Sequence, residues 1–199
     1  MTARWRTICL VGSGVFLTLA LAVSVGGVFP VERGLYEWVV GGVAPGVVTT
    51  FSWINYLGDR YFLIPMALVL APLVLFLHPP SIRQRWWLWV GVVLAAPLLE
   101  WIAKEVVSRP RPSGTGMGFP SGHVTAAAAF FVITAYLAER LLAGRGARRM
   151  IWIVAGVAIL LVGIARMVLR AHWPLDTIGG AGLGVACAAG AIWWHERQS

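Results

Sequence analysis

Six apolar runs separated by short polar stretches organise this chain. They cover residues 8–29, 61–77, 86–107, 120–142, 150–169 and 174–194. Each approaches or exceeds the roughly 20 residues that a helix needs to cross a bilayer. Arg4 and Arg6 precede the first run, and Ala20, Ala22 and Ser24 are as small as residues at a signal cleavage site. The run is longer than a signal core, so an uncleaved first span is expected. Residues 30–59 mix Glu32, Arg33, Glu37, Trp38, Trp53 and Asn55 with apolar positions, and Gly41-Gly42 and Pro45-Gly46 break them. That pattern predicts short amphipathic helices lying in the interface.

The second run contains Pro65 and Pro72, which membrane helices tolerate. The third opens on Trp86, Trp87 and Trp89, an interfacial cluster. The sixth carries Gly179, Gly180, Gly182 and Gly184, which favours close helix contact. Residues 78–85 and 140–149 are basic loops, 108–119 is a Pro/Gly loop, 170–173 is a tight turn, and 195–199 is a polar tail. There is no internal repeat. The expected architecture is all-α: a single domain over residues 1–199 with six transmembrane helices plus short interfacial ones.

Composition agrees. Of 199 residues, 59% are hydrophobic and 12% charged, about half the charged share of a soluble domain. Mean hydropathy is +0.79. The net charge of +8 does not indicate nucleic acid, because the arginines sit in short loops between apolar runs. Cys9 and Cys187 both lie in apolar runs and read as packing residues. Six spans put both termini on one side with nine of the 16 cations, including the four arginines of 140–149. The termini are therefore expected in the cytoplasm, and the loops at 108–121 and 170–173 on the extracytoplasmic face.

Ionisable groups near a membrane need a reason, and three clusters fall on that face. They are Lys104-x6-Arg111-Pro112, Pro120-Ser121-Gly122-His123 and Arg166-x5-His172-x3-Asp176. Lys104, Arg111 and Arg166 are cations enough to hold a phosphoryl group. Ser121 and Gly122 stand at a helix start, where free N–H groups favour an anion. If Pro174 begins a helix, Asp176 lies in its first turn and reaches back to His172, leaving the other ring nitrogen as a nucleophile. His123 is then suited to general acid catalysis. No carboxylate cluster suggests magnesium. No metal, cofactor, nucleic acid or obligatory protein partner is expected; the partners are the bilayer and a phosphorylated substrate.

These three motifs resemble the signatures of the type 2 phosphatidic acid phosphatase family, which also includes soluble vanadium haloperoxidases and glucose-6-phosphatase. They span 104–176, and Leu57-Gly58-Asp59 with the six-span layout extends the likeness. Ala165 stands where the family usually has Ser. The resemblance implies a metal-independent phosphatase working through a phosphohistidine. His172 would be the nucleophile, oriented by Asp176. Lys104, Arg111, Ser121, Gly122 and Arg166 would bind phosphate, and His123 would protonate the leaving group and then activate water. For a compact chain with an outward site in the inner membrane, the first expectation is undecaprenyl pyrophosphate, cleaved to the monophosphate. Phosphatidylglycerophosphate, phosphatidic acid and a lipid A phosphate follow.

Other residues have plainer readings. Glu100, one turn before Lys104, reads as its ion-pair partner. Arg109 would share the phosphate load or contact headgroups, and Arg170 would contact headgroups or, as the second reading, a further phosphate of the substrate. His78 and His195 read as surface histidines, Ser113 and Thr115 as loop residues, and Trp173 as interfacial or lining lipid access. A lipid phosphotransferase and an anionic-lipid transporter are the competing functions; a transporter would show inverted repeats or helices broken at the midplane, and the chain shows neither.

Overall fold

Every apolar run within the described residues is a helix. The structure, a computed structural model, describes residues 2–77 and 85–198. The basic loop 78–85, with His78, lies outside the described residues except for Arg85. In chain order the helices are α1 (Thr2–Gly26), α2 (Pro30–Val40), α3 (Pro45–Asn55), a 3-10 turn (Tyr56–Gly58), α4 (Arg60–Leu77), α5 (Trp86–Val107), α6 (Gly122–Ala138), α7 (Arg145–Val168) and α8 (Pro174–Gln198). Prolines open α2, α3 and α8, where the missing N–H costs nothing. No strand occurs among the described residues; one isolated bridge joins Pro110 to Met117.

The all-α expectation holds. On length and apolarity, four of the six expected spans qualify as membrane-crossing: α1, α5, α7 and α8. The other two supply shorter apolar stretches, Arg60–Val69 and Gly122–Ala138. α6 is shorter than the expected 120–142 because Ser121 is extended and caps its start, and its helical bonding ends at Glu139. α7 begins five residues early, so Arg145, Arg148 and Arg149 stand in its first turns instead of in a loop. The expected polar tail is helical and continues α8. There Arg140 donates to Glu196 Oε1 at 3.3 Å and to the Tyr136 hydroxyl at 2.9 Å. Arg85 Nε donates to His195 Nε2 at 3.0 Å, so His195 joins two helix ends and is not a simple surface histidine.

α6 is the central rod, packed by α5, α7 and α8, while α1 lies along α8. Its Ala127, Ala128 and Ala129 are fully buried. The close approach to α8 depends on missing side chains. A Cβ at Gly180 would stand 2.6 Å from the Ser121 carbonyl oxygen, and one at Gly184 would press on the Thr125 carbonyl. On the far side of α8, a Cβ at Gly182 would meet Gly12 O of α1 at 3.0 Å. The glycine stripe thus serves two neighbours at once. The aromatic cluster of Trp5, Tyr136 and Trp152 closes one end of the bundle. The opposite end holds the chemistry.

Candidate active site

Three sequence-distant segments meet at the end of the bundle where α5 stops, α6 starts, α7 stops and α8 starts. α5 ends on Ser108 in a left-handed conformation (φ 49°), its N–H bonded to Lys104 O at 2.8 Å. A hairpin-like loop follows. Gly118 N–H donates to Arg109 O and Gly114 N–H to Arg111 O at 2.9 Å. Gly114 and Gly116 have φ of 75° and 72°, values that a side chain resists, which is why this turn is glycine-rich. Arg111 Nε donates to Met117 O at 3.0 Å, which fixes the side chain within the loop.

Ser121 is fastened on both sides. Its N–H donates to Asp176 O at 2.9 Å, and its carbonyl accepts from the N–H and hydroxyl of Thr125. Its own Oγ is buried and has no partner among the described residues. An unpaired buried hydroxyl is costly unless a ligand completes it. Gly122 begins α6 against α5: a Cβ there would lie 2.7 Å from Glu100 Oε1. Glu100 is itself buried and pairs with Lys104. The plain reading of Glu100 therefore holds, with the addition that its carboxylate abuts the turn at Gly122.

His172 and Asp176 are both fully enclosed. His172 Nδ1 lies 3.4 Å from Asp176 Oδ2, close enough to orient the ring and longer than a full hydrogen bond. The same oxygen accepts from Trp173 N–H at 3.0 Å. Burial lowers the His172 pKa to about 4; the Asp176 carboxylate opposes this, and Arg166 and Lys104 reinforce it. The ring is neutral at ordinary pH, the state a nucleophile needs. Arg111 is near enough for its charge to act on Arg166, and Arg166, His172, Arg60 and Lys104 are near enough to act on His123. All eight expected residues are thus gathered at one end of the bundle.

A family model described as the PAP2 superfamily matches residues 85–199, more than half of the chain. The chain belongs to the PAP2 superfamily. It is similar to phosphatidylglycerophosphatase B of Bacillus subtilis (strain 168), 30% identical over 179 residues, covering 85% of this chain and 86% of the relative. It also resembles the crystal structure of a transmembrane PAP2-type phosphatidylglycerolphosphate phosphatase from Bacillus subtilis: TM-score 0.84, 26% identity, 95% and 98% of the two chains. Aquifex aeolicus LpxE shares the fold at TM-score 0.61 and 20% identity, over 82% and 96% of the chains. The expectation of a membrane-bound lipid phosphatase is met.

The superfamily motifs do not contain every residue of this site. Arg109 neither shares the phosphate load nor faces headgroups, as the sequence reading left open. It is buried, with NH1 donating to Asp176 Oδ1 at 2.7 Å and to Glu32 Oε1 at 3.1 Å. NH2 donates to Glu32 Oε2 at 2.5 Å and to Gly27 O at 2.8 Å. Burial opposes the Arg109 charge, but Glu32 and Asp176 outweigh it and raise its pKa. Arg166 NH1 donates to Asn55 Oδ1 at 2.7 Å. Trp173 ties the loop and α2 to the start of α8. Its Nε1 donates to Pro110 O at 3.2 Å, and its ring lies 4.8 Å from Tyr36. Gly58, in the Leu57-Gly58-Asp59 turn, lies against the backbone of His123.

Glu32 and Asn55 were expected only as interfacial residues. For Glu32 one general signal was available, because a membrane protein with eight acids rarely leaves one unused; for Asn55, a neutral amide, there was none.

Proposed function

We propose that this chain hydrolyses a membrane lipid phosphate through a phosphohistidine at His172. The observation that carries this is the neutral, enclosed His172, with Asp176 at Nδ1 and the cations Lys104, Arg111 and Arg166 around it. Nε2 attacks phosphorus, and the bond to the leaving oxygen breaks as His123 protonates that oxygen. His123 then takes a proton from water, the hydroxide attacks phosphorus, the N–P bond breaks, and orthophosphate leaves. Ser121 Oγ and the N–H groups at Gly122 complete the oxyanion contacts. The whole chain acts as one domain.

The lipid half of the reading draws support from a groove between α7 and α8. It encloses about 360 Å³ and is lined by Gly156, Ile159, Leu160, Gly163, Pro174 and Ala181 among others. Val124, the neighbour of His123, forms its inner wall. An apolar tail laid there keeps its phosphate at the site. We take six helices, α1 and α4–α8, as crossing the inner membrane, with the termini cytoplasmic and the site on the outer side. α6 falls short of about 30 Å, but its neighbours shield it from lipid. The likeness to phosphatidylglycerophosphatase B favours phosphatidylglycerophosphate over undecaprenyl pyrophosphate, the first expectation from sequence.

The experiment is phosphate release by detergent-purified protein, with EDTA, from a panel of lipid mono- and pyrophosphates. The expected result is turnover of at least one, with faster release from phosphatidylglycerophosphate. His172→Ala should abolish release while the protein keeps its melting temperature within a few degrees. Near-normal rates in that variant would refute the nucleophile assignment.

A further inference from the structure

A chain of buried charge runs from α2 to the nucleophile. Glu32, Arg109 and Asp176 are each at most 4% exposed. Glu32 takes the Arg109 guanidinium on both oxygens, and Arg109 passes one hydrogen bond to Asp176. Glu32 Oε1 also accepts from Leu175 N–H at 3.0 Å, which pins α2 to the first turn of α8. Two carboxylates share one guanidinium, so the cluster carries a net charge of −1. A buried surplus charge is unfavourable on its own. It is balanced when His172 bears phosphate on Nε2 and a proton on Nδ1, because the imidazole is then cationic.

We propose that Glu32 is a positioning residue for the reaction: it holds the charge of Arg109 so that Asp176 keeps an unneutralised carboxylate for His172. The inference rests on the phosphohistidine reading above. Without Glu32, Arg109 would pair with Asp176 alone. The carboxylate would then have less charge to offer the imidazole as it becomes cationic, and the intermediate would lose support relative to the ground state. The other charged or titratable groups acting on His172 are Arg166 from α7, Lys104 from α5 and His123 from α6. None of these changes in the variants below.

The test first traps a phosphorylated His172 in the unaltered protein by acid quench; if none forms, the underlying reading falls and this proposal with it. With the intermediate in hand, Glu32→Gln should lower kcat about 10- to 100-fold with KM within about twofold. The His172 titration, followed by NMR of the labelled imidazole, should move to lower pH. Glu32→Asp, which keeps the charge, should fall between the two. The decisive variant is E32Q/R109Q. Removing both charges frees Asp176 again, so kcat should recover relative to Glu32→Gln. A merely structural bridge predicts the double variant to be no better than the worse single one, and that outcome overturns the proposal. An unmoved titration in a slow Glu32→Gln protein does so too. Should Glu32→Gln not fold, the double variant is read against the unaltered protein: kcat within about tenfold supports the proposal, and a loss as complete as that of His172→Ala refutes it.

Discussion

The backbone N–H of Ser121 donates to the carbonyl oxygen of Asp176 at 2.9 Å. Two motifs far apart in sequence are thereby joined through main chain, whatever their side chains do. The turn at the start of α6 cannot move without moving Asp176, which lies beside His172. The turn at Ser121 and the start of α8 are held together by this hydrogen bond and by the glycines that let α6 and α8 approach.

Gly122→Ala tests how tightly that turn is packed. The new Cβ would stand 2.7 Å from Glu100 Oε1 and 3.0 Å from its Cδ. Glu100 would have to swing away, taking its partner Lys104 with it. Overpacking of this kind costs about 1–3 kcal/mol. Phosphate release should fall at least tenfold, with a modest drop in melting temperature. Glu100→Ala in the same chain should restore part of the rate; no restoration would mean that Glu100 is not the obstacle.

The pH dependence follows from the lowered pKa of His172. Its imidazole titrates near 4 in the folded protein, against 6.5 for an ordinary histidine. The unprotonated ring, the form the proposed mechanism uses, therefore persists down to about pH 4. As pH falls from 6.5 the unfolded chain binds a proton that the folded one refuses, so stability from this group is lost down to about 4 and then levels off. An NMR titration of the labelled ring in the free enzyme reads the midpoint directly. A value near 6.5 would contradict the burial argument.

Asn55→Ala removes the 2.7 Å partner of Arg166. A hydrogen bond to a charged group contributes about 1.5–3 kcal/mol, part of which water replaces. The expected result is a KM raised several-fold to about tenfold, with kcat changed less. Initial-rate kinetics on the preferred lipid separates the two, and an unchanged KM would remove Asn55 from the site.

Gly184→Ala should destabilise the bundle, because the added carbon meets the Thr125 carbonyl, the Ala128 Cβ at 2.7 Å and the Ala129 nitrogen at 2.9 Å. Backbone atoms cannot give way, so a loss of about 2 kcal/mol or more is expected. Gly14→Ala, where nothing lies within 4 Å, serves as the control. Equal melting temperatures in detergent for the two variants would refute the packing model.

The helices and the three motifs were legible because both depend on local pattern. A run of apolar residues must be helical in a membrane, and counting runs places Lys104, Ser121 and His172 at one end. What stayed hidden depends on contacts across long separations. Glu32 meets Arg109 from 77 positions away, and Asn55 meets Arg166 from 111. Nothing in the neighbourhood of either residue distinguishes it from an interfacial polar residue. The early start of α7 was missed because arginines are good helix formers, and the pattern showed charge without showing that it was already helical.

α8 runs unbroken from Pro174 to Gln198. Asp176 near one end is tied to Arg109, and Glu196 near the other is tied to Arg140, about 30 Å away along the axis at 1.5 Å per residue. A helix couples length to rotation. Deleting or inserting one residue between these ties would turn one end about 100° against the other while changing the length by only about 1.5 Å. The two polar ends of the molecule are thus locked in phase, and a changed residue count anywhere between them would be felt at both ends, whereas a changed side chain is felt only where it packs, as at Gly184.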